Sequence, residues 1–168
     1  MKFLGHRIAD KRVLRYVKRF LKAGIMENGA VSASDKGTPQ GGIVSPILAN
    51  IYLHYSLDLW FTRVFQKGCY GQSRMIRYAD DFVVCFERES DAIRFRQALD
   101  ERLFIFGLEI SPEKTKTIEF GPFAEAKAKR RGGKAATFDF LGFSHYCSRS
   151  RNGRRFRNPS VYDRAPCR

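Results

Sequence analysis

The sequence predicts an α+β fold, on three observations. Apolar residues recur at helical spacing in three separate stretches, at 13–21, 47–61 and 92–106. The β-branched and aromatic runs sit beside one another across tight polar turns, as hairpins do, rather than alternating with helices. At 168 residues with 43% hydrophobic and 29% charged side chains, the chain is the size and composition of one globular domain. No internal repeat is visible.

The elements follow in order. Asp10 is the N-cap of a helix to Ala23, with Val13, Leu14, Val17, Phe20 and Leu21 on one face and Gly24 as its stop. Residues 25–36 read as a short hairpin region turning at Asn28-Gly29. Residues 38–42 are a loop by their Pro and paired Gly. A helix starts at Pro46, its stripe formed by Ile47, Ile51, Leu57 and Phe61, with Leu48 and Tyr52 beside it. Residues 74–86 read as strand, tight turn, strand. Ser90 caps the next helix, where Ala92, Phe95, Leu99, Leu103 and Phe106 share a face and Gly107 ends it. Residues 108–112 are extended. Thr117–Phe120 and Thr137–His145 read as two further strands joined by a basic loop.

Charge is the unusual property. Thirty-one Lys and Arg against 17 Asp and Glu leave +14 at pH 7. Twelve of those cations but only 2 of the acids lie in residues 127–168, in runs such as Lys127-Ala-Lys129-Arg130-Arg131 and, further on, Arg154-Arg155. A basic segment of this kind is a phosphate-binding arm or a solvated tail. Nucleic acid is the polyanion that fits best. No apolar run reaches the ~20 residues that span a bilayer. The N-terminal MKFLGHRIADKR puts charge where a signal peptide needs its apolar stretch, so a cytoplasmic location is expected. Four cysteines without a CxxC pair, and three histidines, give neither a zinc site nor a disulfide framework, so reduced packing thiols are expected.

Tyr78-Ala79-Asp80-Asp81 carries the chemistry. Two adjacent carboxylates between apolar strands are costly to bury unless a cation compensates them. Neighbouring strand residues point to opposite faces, so a turn is what lets both approach one ion pair. Hard oxygen donors without nearby His or Cys suit Mg²⁺, and two such ions serve phosphoryl transfer. The plain alternative is an exposed hairpin turn, where Asp is common.

Three further blocks accompany it: Gly37-Thr-Pro-Gln-Gly-Gly-Ile-Val-Ser-Pro-Ile-Leu-Ala-Asn-Ile-Tyr-Leu53 before, Gly107-Leu-Glu-Ile-Ser-Pro-Glu-Lys-Thr115 and Phe140-Leu-Gly-Phe143 after. This ordered set resembles the reverse transcriptases encoded by group II introns, the intron-encoded maturase family. The resemblance implies a palm-like antiparallel sheet packed on helices over residues 1–145, and a basic tail over 146–168 that begins a thumb region. It implies RNA-directed DNA synthesis: two-metal nucleotidyl transfer from dNTPs to a DNA primer on an RNA template, with Mg²⁺ or Mn²⁺. Asp80 then matches the principal metal ligand, with Asp81 beside it. Tyr78 and Ala79 match positions against the primer end. Gln40 and Gly41 match the loop that contacts the template and shapes the nucleotide pocket. Lys114 matches a lysine on the leaving-phosphate side. Phe140, Leu141, Gly142 and Phe143 match the primer-gripping hairpin. Lys127, Lys129, Arg130, Arg131, Arg154 and Arg155 are the candidate phosphate contacts.

The family also supplies a metal-binding aspartate from an earlier strand. No Asp before Gln40 fits that role, since Asp10 starts a helix and Asp35 lies in a polar turn region. The expectation is a palm fragment, weak or inactive alone, completed by a polypeptide that brings the fingers and the first aspartate. Two other readings stand beside it: a non-catalytic maturase or splicing factor that binds intron RNA, and an inactive remnant of a mobile element.

Overall fold

The structure is a computed structural model, and it describes residues 1–22, 25–27, 30–32, 44–149, 156–157 and 160–162. The chain divides into two compact units, one formed by Met1–Asp80 with Cys85–Glu109, the other by Asp81–Val84 with Ile110–Arg168. Sheets are small and antiparallel among the described residues, which fits the expected mixture of helices and hairpins.

The first unit opens with a short helix, α1 (Lys2–Gly5), and then α2 (Lys11–Lys22). The Asp10 carboxylate accepts the Arg12 amide at 2.7 Å, the N-cap that the sequence predicts. β1 (Ile25–Glu27) and β2 (Ala30–Ser32) pair antiparallel with Glu27 opposite Ala30, and the turn expected at Asn28-Gly29 lies outside the described residues.

α3 (Ser45–Leu53) follows, with Pro46 in its first turn as expected. It runs on through a π turn (His54–Asp58), a second π turn (Phe61–Phe65) and a 3₁₀ turn (Gln66–Gly68), with helical dihedrals at each junction. The Leu59 amide reaches back to the His54 carbonyl and the Gln66 amide to that of Phe61, five residues in each case. These wide turns correct the expected stripe. Leu57 and Phe61 are 1% exposed and Phe65 is buried with them, but Ile47 is 60% exposed. A π turn takes more residues than an α turn, so residues four apart stay in line beyond it and those upstream fall out of phase.

β3 (Ser73–Tyr78) and β4 (Asp81–Phe86) make the second hairpin, at the place expected. α4 (Glu89–Ile105) carries the core face that its periodicity predicts, with Phe95, Leu99 and Leu103 buried. Phe95 sits 5.1 Å from Phe65, 5.3 Å from Phe86 and 5.7 Å from Phe61, ring centre to ring centre, an aromatic cluster with mostly edge-on contacts. Gly107, at φ 65°, ends the helix. The Leu108 amide donates to the Leu103 carbonyl and the Gly107 amide to Phe104. The start differs from expectation. The helix begins at Glu89, so Ser90 lies inside its first turn and Arg88 is the boundary residue, without a side-chain cap.

In the second unit the basic run is a helix, α5 (Ala124–Arg130), and not the loop expected. Its Ala, Glu and Lys residues are strong helix formers, and that propensity outweighs the crowded charge. Residues 117–120 join no strand. Residues 137–145 are not one strand but a hairpin, β5 (Phe138–Phe140) and β6 (Phe143–His145), with Phe140 opposite Phe143. β7 (Ser148–Arg149) pairs with β8 (Phe156–Arg157), and β9 (Ser160–Tyr162) extends the hairpin beside β6. Phe120 and Phe138 meet edge-on at 5.1 Å, and Ala124 is buried.

Candidate active site

The predicted aspartates sit at the tip of the β3–β4 hairpin. Ala79 and Asp80 form its turn, and Asp81 is the first residue of β4. Ala79 takes a left-handed conformation, φ 54°, which an L residue adopts at a cost of about 1 kcal/mol. Along β3, Ser73, Met75 and Arg77 face inward, while Arg74, Ile76 and Tyr78 face out. Tyr78 is 66% exposed, an aromatic ring presented beside the turn. Asp80 and Asp81 are both exposed, and neither carboxylate has an ion pair or hydrogen bond among the described residues.

What holds the turn is a residue that the sequence reading did not single out. The Arg77 guanidinium donates through Nε and Nη2 to both oxygens of Asp58, each at 2.7 Å. Its Nη1 donates to Asn50 Oδ1 at 2.8 Å and to the Ala79 carbonyl at 2.6 Å. His54 Nδ1 lies 3.4 Å from Asp58 Oδ2. Burial works to raise the Asp58 carboxyl, but the Arg77 hydrogen bonds and charge, with those of His54, outweigh it and hold it below the usual carboxylate range. The bond to Asp58 in turn raises Arg77 against its own burial.

The expected site residues from Lys114 onward lie in the second unit. Phe140, Leu141, Gly142 and Phe143 build the tip of the β5–β6 hairpin, where Leu141 at φ 54° and Gly142 at φ 77° give a type I′ turn. Leu141 is 44% and Phe143 40% exposed. Lys114 is exposed in a turn after Ser111, whose carbonyl accepts the Thr115 amide at 3.1 Å. In and just after α5, Lys127 and Arg131 pair with Glu119, and Lys129 pairs with Glu125 at 3.1 Å, while Arg130 has no ion pair among the described residues. Gln40, Gly41, Arg154 and Arg155 lie outside the described residues. Cys69, Cys85 and Cys147 are free thiols, and burial pushes the Cys85 thiol up. No group of three potential ligands occurs among the described residues, and no described helix is long and apolar enough to cross a membrane.

Comparison with known proteins points one way. The family model described as "Reverse transcriptase (RNA-dependent DNA polymerase)" matches residues 2–145. The "Group II intron-encoded protein LtrA" of Lactococcus lactis subsp. cremoris is 52% identical over 48 residues, 29% of this chain and 8% of its own. An "Uncharacterized 91 kDa protein in cob intron" of Schizosaccharomyces pombe is 47% identical over 51 residues, 30% of this chain and 6% of its own. "Protein YkfC" of Escherichia coli K12 is 33% identical across 50% of this chain and 29% of its own. The chain thus spans under a third of the length of these curated relatives.

Proposed function

Because the chain belongs to the reverse transcriptase family, in its intron-encoded branch, we propose that it is the palm portion of a group II intron-type RNA-directed DNA polymerase, adding nucleotides from dNTPs to a DNA primer on an RNA template. The observation that carries this reading is the exposed Asp80-Asp81 pair on a hairpin tip, inside the matched region.

The donor set suits Mg²⁺ or Mn²⁺. Both carboxylates are open to solvent and unclaimed by a protein cation among the described residues. Two carboxylates with water and substrate phosphates are what Mg²⁺ ordinarily takes. Asp80 and Asp81 would hold the ions, whose chemistry is to activate the attacking oxygen and to steady the leaving pyrophosphate. The remaining residues act on the nucleic acid. Tyr78 offers a ring face beside the turn, suited to stacking against the primer end. The exposed Leu141–Gly142 turn is suited to gripping the primer strand, and Lys114 to protonating or neutralising the leaving phosphate. Gln40 and Gly41 take the template-side role, and Lys127, Lys129, Arg130, Arg131, Arg154 and Arg155 the phosphate contacts.

Primer extension on an RNA template with dNTPs and Mg²⁺, beside Asp80→Asn, tests the reading. Extension lost in the Asn variant is expected. Salt-sensitive RNA binding without extension, in the presence of fingers and a first aspartate supplied in trans, favours an RNA-binding maturase instead. Neither activity nor binding leaves an inactive remnant.

A further inference from the structure

We propose that Arg77 is a positioning residue, which fixes the Ala79–Asp80 peptide plane by anchoring the Ala79 carbonyl to Asn50 and Asp58 on the long helix.

Four of the five guanidinium N–H donors are engaged: two on Asp58, one on Asn50 and one on the Ala79 carbonyl. The Arg77 side chain is 12% exposed and the Asp58 side chain 25%, so the forked pair is largely shielded and its geometry is set by planar, bidentate contacts. The Ala79 carbonyl belongs to the peptide that enters Asp80. Holding its oxygen at 2.6 Å fixes that plane, and with it the direction from which the Asp80 side chain leaves the backbone. The anchored residue is also the strained one. Ala79 sits at φ 54°, a conformation that persists only where the surroundings over-determine it.

Asp58 has a second part in this arrangement. An Arg three residues before an exposed aspartate could swing out and pair with it. With both Asp58 oxygens taking its N–H groups, Arg77 grips the backbone before Asp80 and leaves the Asp80 carboxylate open. The consequence for catalysis rests on the reading of Asp80 as a metal ligand; the ordering of the turn does not.

The test is amide dynamics of the full chain by ¹⁵N NMR, comparing Arg77→Met and Arg77→Lys with Arg94→Met. The last breaks a different pair in the same unit, Asp91 with Arg94 at 3.2 Å. Expected are order parameters at Asp80 and Asp81 falling from about 0.85 to below about 0.6 in both Arg77 variants and unchanged in Arg94→Met. Lysine keeps the charge but cannot serve Asp58, Asn50 and the Ala79 carbonyl together, and it decides the matter if the Met variant fails to fold. An ordered turn in Arg77→Lys, or equal loosening in Arg94→Met, overturns the proposal. Where the chain extends primers, Arg77→Lys should lower kcat by about 10²-fold and leave the dNTP KM nearly unchanged. Absence of Asp80-dependent extension removes the polymerase reading and leaves the turn measurement standing.

Discussion

Asp91 holds the backbone of Gly71 from 20 residues away. Its carboxylate, 1% exposed, accepts the Gly71 amide at 3.0 Å and the Tyr70 amide at 2.9 Å, and Arg94 lies 3.2 Å from its other oxygen. The first turn of α4 is thereby tied to the segment that leads into β3. Asp91→Ala strands two amides and a guanidinium together, and should cost about 3 kcal/mol, read as a fall in the urea midpoint. Asp91→Asn keeps one acceptor oxygen and should lose less.

Gly71 itself has no room for a side chain. A Cβ there would stand 2.9 Å from Glu87 Cβ and 3.1 Å from Arg88 Cγ. Gly71→Ala should therefore destabilise by about 1–3 kcal/mol. Gly68→Ala is the matched control, since its added methyl meets only the Arg94 guanidinium at an ordinary 3.6 Å. Equal midpoints for the two variants would contradict the crowding argument.

The β5–β6 turn contains a leucine where its backbone favours glycine or asparagine. Leu141→Gly or Leu141→Asn should stabilise the chain by up to about 1 kcal/mol, because φ 54° ceases to be strained. Gly142→Ala, at φ 77°, should do the reverse. If Leu141 grips primer, the stabilised variants will also bind primer–template more weakly, which anisotropy titration would read.

The Asp58–Arg77 pair gives stability a direction with pH. A carboxyl held below its unfolded value near 4 contributes fully above that value, and the contribution fades as pH falls through the lowered folded one. Thermal melts of Asp58→Asn against the parent chain should differ at pH 7 and converge as pH falls below the ordinary carboxylate range and through the lowered folded value. A gap that stays constant across this range would show that the charge pairing does not stabilise the fold.

RNA affinity should fall steeply with salt. Three of the four cations in the Lys127–Arg131 run are paired with Glu119 or Glu125, but the pairs are exposed and cheap to exchange for phosphate. Replacing all four with Gln should lower the slope of log affinity against log salt by about 0.7 for each phosphate that is no longer neutralised. An unchanged slope would place RNA binding on another surface.

Elements that one local rule governs were legible in the sequence. α4 declared itself through Phe95, Leu99 and Leu103 and through the stop at Gly107, and the aspartate hairpin through apolar runs around a polar centre. Ile47 was misplaced because a stripe counted at α period cannot register the π turns downstream. Residues 124–130 form a helix where a basic loop was expected, because the helix propensity of Ala, Glu and Lys outweighs the repulsion of clustered charge. The Arg77–Asp58 pair spans 19 residues and follows no periodicity. Its only traces were a carboxylate inside an apolar stripe, Leu57-Asp58-Leu59-Trp60, and an inward cation on a strand.

The π turn at His54–Asp58 has a geometric result for the ligands of Arg77. In an unbroken α-helix, residues eight apart project about 80° away from each other, and Asn50 and Asp58 would face different neighbours. One residue absorbed by the wide turn makes them behave as seven apart, within about 20°, so that a single guanidinium reaches both. Deleting one residue there would leave a regular helix with the two acceptors seven apart and still aligned, whereas drawing the present residues into an unbroken α-helix would aim them apart. The irregular turn is thus the gear that brings an amide and a carboxylate to bear on the same arginine.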